Sequence, residues 1–346
     1  MKDRSSLIIF LMIHFLFVYL YAEEEIRYAA DMAHLPAGTD VAALGDAGVV
    51  LYRHAISSHW NPAVSGLMDK FEISAEIADL YHGLSNQACF AVHVPVQNQL
   101  GVSLLYLPFF SGEIALQDSL EGTEQARQLD QSLRADGSVK GFFRNNQHLM
   151  LLSSGKTFSY SLPRVAGSGY PLPIELTLGL STKIYWQTMN PGDIRGLGIG
   201  VNSDIGFIGR VGIDYDLVKK EVCREIVIGA SIHDILPGKI IWVNSNDNYK
   251  ETVQISQFYG ISYIDKGDLI PGDWTFVLAL KKQYEITWHG GIEALFWNTV
   301  AFRAGFSGKT PTVGAGINYK YYFIDYAFRF DSIDFSYLRI TLGVRF

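Results

Sequence analysis

The chain has 346 residues, of which 18% are charged and 13% aromatic, with 33 glycines and a formal net charge of −7. Average soluble domains carry roughly 25% charged residues, so this composition argues against an ordinary water-facing surface. The lack of a basic stripe interleaved with aromatics argues against a nucleic-acid partner, and two cysteines, Cys89 and Cys223, make no disulfide framework.

Residues 1–22 open on Lys2 and Arg4, continue as an apolar run from Leu7 to Leu20, and reach Ala22 just before Glu23, Glu24 and Glu25. That layout predicts a secretory signal peptide cleaved after Ala22. The run is also nearly long enough to stay as an anchor helix. Both readings predict export.

Residues 23–70 do not alternate. Gly45 and Gly48 lie in a small, flexible stretch, and Asn61 precedes Pro62 and Ala63. Asn61 is placed to cap a short helix whose first position is Pro62, where the missing N–H costs nothing. A compact Gly-rich segment of this kind suits a hatch folded inside a barrel lumen. An exposed arm with one helical turn satisfies the same residues.

From Phe71 onward every second residue is apolar or aromatic, the period of a strand with one apolar and one polar face. Strands are expected near 71–81, 86–95, 99–109, 145–159, 174–187, 196–215, 222–234, 253–264, 272–282, 285–296, 298–306, 311–320, 322–330 and 336–346. Gly206 and Gly209 leave open a split of 196–215. Fourteen is an even number, which brings both barrel ends to one side of a membrane. Long links fall at 110–144, where Thr123 to Leu133 has helical spacing, and at 235–252, both on the outer side. The 160–173 link, rich in Pro and Gly, is an unusually long inner one.

In 174–187, Leu176, Leu178, Leu180, Ile184 and Trp186 share one face, while Glu175, Thr177, Ser181, Lys183 and Gln187 share the other. A charge at the bilayer midplane costs a few kcal/mol, so the second face must point inward. The same parity sends Lys281, His289, Glu293, Arg303, Lys320, Asp325, Arg329, Arg339 and Arg345 to the lumen, as partners for one another and for the hatch. Tyr106, Trp186, Trp274, Trp288 and Phe346 read as an interfacial girdle. The prediction is therefore an all-β, transmembrane antiparallel barrel over 71–346.

Two resemblances sharpen it. A last strand ending on Phe346 resembles the terminal assembly signal of bacterial outer-membrane barrels, which implies the barrel assembly machinery as a partner and the outer membrane of a diderm bacterium as the location. Ala43-Leu44-Gly45-Asp46-Ala47-Gly48 with Trp60-Asn61-Pro62-Ala63, and the segments around Gly291, Ala301, Gly314 and Asp325, resemble FadL-like long-chain fatty acid transporters and still more their PorV/PorQ-type relatives. Tyr52-Arg53-His54 depart from the acidic and small residues usual after the family's glycines. The resemblance implies a fourteen-stranded barrel with a hatch, an apolar ligand of the long-chain fatty acid class and a lateral opening in the third strand.

Pro108 and Gly112 stand at that place. Proline donates nothing to a ladder and belongs at an edge or bulge, so either a seam is loosened here or the strand ends at Pro108. Transport further predicts an apolar pocket between hatch and outer loops, with Lys183 or Arg303 near a ligand carboxylate. A PorV-type barrel that binds secreted proteins predicts a narrow plugged lumen and large outer loops. A plain porin needs an open lumen, which a hatch blocks.

Catalytic motifs are absent: no Gly-x-Ser-x-Gly, no His-Glu-x-x-His, no phosphate loop. His233-Asp234, and His289 with Glu293, read as structural pairs. His54 and His59 match no metal-ligand spacing. Neither enzyme chemistry nor a metal or other cofactor is expected.

Overall fold

The computed structural model describes residues 30–80, 83–117, 121–133, 137–162, 172–190, 196–216, 221–236, 238–243, 249–266, 272–330 and 337–346. The expected signal peptide and residues 163–171 of the inner link lie outside them.

Fourteen antiparallel strands make one closed sheet. They are β1 (Glu72–Leu80), β2 (Ser85–Val96), β3 (Leu100–Ser111), β4 (Asn145–Leu162), β5 (Leu172–Met189), β6 (Gly196–Asp216) and β7 (Glu221–His233). The second half is β8 (Ser256–Lys266), β9 (Asp273–Lys282), β10 (Ile286–Phe296), β11 (Val300–Ser307), β12 (Thr310–Tyr319), β13 (Tyr322–Arg329) and β14 (Tyr337–Arg345). Each strand pairs with its neighbours in sequence, and β14 closes on β1 with Glu72 opposite Arg345. Closure removes sheet edges, the condition for a sheet to cross hydrocarbon. Among the described residues no helix is long and apolar enough to cross a membrane.

Alternation decides which way each side chain points. On β5, Leu176, Leu178, Leu180 and Ile184 are exposed on the outside while Thr177, Ser181, Lys183 and Tyr185 are buried within. Bands of Ile, Leu, Phe, Tyr and Trp cover the outer face of the other strands in the same way. Cys89 and Cys223 are both buried and form no disulfide.

One choice left open by the sequence reading is settled, and two details differ from it. The 196–215 segment is one strand of 21 residues, because Gly206 and Gly209 keep their ladder partners on β5. Strands β4 and β5 run on to Leu162 and Leu172 and pair throughout, so the ladder takes in residues 160–162 and 172–173 at the two ends of the expected inner link. Lys320 does not reach the lumen. It sits exposed in the β12–β13 turn in a left-handed conformation (φ 54°), its ammonium 5.3 Å from the Tyr319 ring.

The rim where β1 begins and β14 ends is called the terminal rim below. Long connections leave the opposite rim. The β3–β4 connection holds a small hairpin, Ile114–Leu116 with Gly141–Phe143, and a helix, Glu124–Leu129, whose first turn is capped by the Thr123 hydroxyl accepting from the Ala126 N–H at 3.2 Å. The β7–β8 connection adds Lys239–Trp242 to β6 and pairs it with Lys250–Thr252.

Candidate functional site

Residues 30–68 lie inside the barrel. They form short helical turns, including Thr39–Ala43 and Val64–Leu67, that touch the wall in every quadrant. No turn is long enough to satisfy its own backbone, so the wall supplies partners. Glu76 accepts from the Gly38 N–H at 3.0 Å and the Thr39 hydroxyl at 2.9 Å. Glu72 accepts from the Ala55 N–H at 2.7 Å. On the other side, Thr157 donates to the Gly66 carbonyl at 2.7 Å, Ser231 to the Trp60 carbonyl at 2.7 Å and Thr312 to the Ala43 carbonyl at 3.0 Å.

The wall is also shaped to receive this segment. Gly101, Gly155, Gly179 and Gly206 are consecutive cross-strand partners on β3, β4, β5 and β6. They form a continuous row without side chains on the luminal face. Asn61 to Gly66 press directly on this row. A Cβ on Gly179 would overlap the backbone of Pro62 and Ala63, and one on Gly206 would overlap the Asn61 side chain. Paired Gly291 and Gly305 receive Leu44 and Gly45 in the same manner. Gly45 itself has φ 71°, and a side chain there would strike the Phe306 carbonyl.

The residues singled out in the segment thus meet the wall at two of its bare places. Asn61 does not cap the helix as expected: the helix begins at Val64 with no side-chain cap. Its carboxamide oxygen accepts from the Ala63 N–H at 3.0 Å, and its Nδ2 donates to the Val49 carbonyl at 2.9 Å and the Phe207 carbonyl at 3.0 Å. Gly48 lies flat beneath the Trp60 ring, whose Nε1–H donates to the Ala37 carbonyl at 2.6 Å. Tyr52, Arg53 and His54 are anchors: Tyr52 donates to Glu225, Arg53 to Glu293 and Thr275, and His54 lies among Glu72, Asp40 and Asp325.

The two candidate ligand cations lie in charge clusters. Arg303 donates to Glu293 at 2.7 Å and to Asp325 at 2.5 Å. Lys183, fully buried, lies 2.8 Å from Asp204 and 3.4 Å from Asp234, which also accepts from Tyr185. A ligand carboxylate would reach either cation only by displacing a protein carboxylate. His289 bonds the Gly45 carbonyl at 2.8 Å rather than Glu293, and His233 bonds the Trp60 carbonyl at 3.0 Å.

Burial holds His59 well below its ordinary value, at about 3, and shifts His34 in the same direction. His54 is also desolvated, yet Asp40, Glu72 and Asp325 carry its affinity for a proton up. The cavity between the segment and the β9–β10 turn encloses about 250 Å³ and is lined by His34, Asp46, Lys281, His289 and Arg329. It is polar where the sequence reading expected an apolar pocket, because titratable side chains from both bodies converge on it.

The β2–β3 seam carries the remaining candidates. Strand β3 continues through Pro108 to Ser111, so it does not end there. Pairing with β2 skips from Gln87–Phe109 to Phe90–Tyr106, leaving Leu107 and Pro108 without rungs to Cys89 and Ala88. The register is the same on both sides, so rungs are lost without a slip. Pro108 has no N–H to give, and on its other flank it still pairs with His148 of β4. The Gly112 N–H closes the seam beyond the gap by donating to the Leu84 carbonyl at 2.7 Å.

Sequence reasoning missed the glycine row. Its signal was present: glycine inside a strand, at luminal parity, marks a close backbone approach.

No protein-family model and no curated protein matches this chain. Among solved structures it is similar to the toluene transporter TbuX of Ralstonia pickettii (11% identity, 89% of this chain and 97% of that one, TM-score 0.43) and the toluene transporter TodX of P. putida (13%, 89% and 97%, 0.43). A Pseudomonas aeruginosa FadL homologue is similar at 10% identity, over 90% and 97% of the two chains, with a TM-score of 0.40.

Proposed function

We propose that this barrel lies in the outer membrane of a diderm bacterium and takes up hydrophobic small molecules of the long-chain fatty acid class. In this reading it is a FadL-like protein allied to the PorV/PorQ type. Residues 23–70 are its hatch, and Phe346 is the signal read by the barrel assembly machinery. The observation that carries the reading is the pair of missing rungs at Leu107 and Pro108, backed on the luminal side by buried Leu105, Leu107, Leu149 and Leu151. A ladder short of two rungs separates there at the lowest cost, and an apolar lining lets an apolar molecule reach it.

The substitution Pro108→Val restores a donor at the seam. It is expected to cut uptake of a fluorescent long-chain fatty acid several-fold, measured in cells or proteoliposomes. Uptake at the original rate would remove the seam as the exit.

A second reading has its own support. Residues 30–68 fill much of the lumen, and the β3–β4 connection carries a hairpin and a helix beyond the rim. Those features suit a PorV-type barrel that binds secreted proteins. Purification in detergent separates the two: bound fatty acid favours uptake, a stoichiometric protein partner favours the alternative.

A further inference from the structure

The lipid-facing wall is indented across six adjacent strands, from β3 through β2, β1, β14 and β13 to β12. The indentation encloses about 860 Å³. Strands lie about 4.8 Å apart, so it runs about 24 Å around the wall. Ala75 forms the floor, between Phe90 on β2 and Leu342 on β14, its cross-strand partners.

Both ends have meaning. At one end, Phe90 and Tyr106 stack with ring centroids 6.3 Å apart. They are also the first paired rung on the terminal side of the gap at Pro108. At the other end, Tyr319 and Tyr322 stand on either side of the β12–β13 turn at the terminal rim, with exposed Lys320 between them. The groove therefore starts where the seam lacks rungs and finishes beside a cation at a membrane–water boundary.

We infer that this groove binds one extended acyl chain with an anionic head group: the fatty acid cargo after it has passed the seam, its carboxylate held at Lys320. The inference rests on the uptake reading for the source of the ligand. The site itself is argued from shape, apolar lining and the placement of Lys320. It assigns to Lys320 a task that its distance from the lumen otherwise leaves unexplained.

The test uses the full-length protein in phospholipid nanodiscs with a diazirine-bearing palmitic acid, cross-linked by light and mapped by mass spectrometry. Labelling is expected to concentrate around Ala75, Phe90 and Leu342 and to be displaced by unlabelled palmitate. Ala75→Trp fills the floor from the lipid side and should lower groove labelling several-fold, with Ala75→Leu intermediate. Lys320→Gln should lower it about threefold, the size of one exposed ion pair. Labelling spread evenly around the outer face overturns the inference, even if uptake is intact. So does the same pattern from a diazirine phospholipid that palmitate fails to displace, which would make the groove a seat for membrane lipid. Because the readout is binding, failure of the seam test leaves this result independent.

Discussion

Arg303 shows what single side chains contribute inside this barrel. Its guanidinium bridges Glu293 on β10 and Asp325 on β13, with all three groups buried. Removing Arg303 leaves Glu293 with Arg53 alone and Asp325 with His54 alone, two buried carboxylates each short of a partner, a cost of about 3–5 kcal/mol. Arg303→Met should destabilise the barrel by about that amount in urea unfolding followed in detergent micelles. A loss below about 1 kcal/mol would mean that solvent reaches the carboxylates. Acid should act on the luminal segment through its neutral histidines. Folded His59 and His34 resist protonation while the unseated segment takes protons below about pH 6.5, so seating weakens as pH falls from there. The His54 contribution is already complete below that pH and cannot offset the loss. His59 alone removes about 2 kcal/mol by pH 5, so protease cleavage within residues 30–68 should rise from pH 6.5 to 5. His59→Gln should flatten that rise, and an equally steep profile in the variant would absolve His59.

At the scale of elements, the fit between segment and wall is made of backbone against backbone. Gly101, Gly155, Gly179 and Gly206 lower the luminal surface across four strands, which lets the turn at Asn61–Gly66 settle onto the sheet. Gly179→Val forces the Ala63 backbone away, an overpacking cost of about 1–3 kcal/mol, and should leave the barrel closed with its segment unseated. Ion conductance in planar bilayers should then rise above that of the parent protein, while Gly141→Ala, where an added Cβ meets nothing, should not change it. Unaltered conductance in Gly179→Val would show that the segment is held by its ion pairs alone. Strands were legible because lipid on one side and a polar lumen on the other impose a period of two, and fourteen of them emerge within a few residues of their expected bounds. The glycine row was not, because glycines invite assignment to turns unless parity is followed into the lumen. Lys320 was misplaced for the converse reason: parity was carried past the end of a strand into a turn.

For the whole molecule, sequence gave the closed sheet and the inward charges, but pairing among those charges depends on register. Nothing local tells Lys183 that Asp204 and Asp234, 21 and 51 residues away, will face it. The seam was visible as Pro108, whereas the loss of pairing at both Leu107 and Pro108, with the register kept, required the ladder itself. One consequence concerns the order in which the protein is made. The turn at Thr39–Ala43 bonds Thr341 as well as Glu76, and rests on β11 to β14. Its resting place is therefore incomplete until the last strand has joined the first. The stretch translated near the beginning is among the last to find a home, and during export it must either be chaperoned or serve as the mandrel around which the remaining polypeptide winds shut.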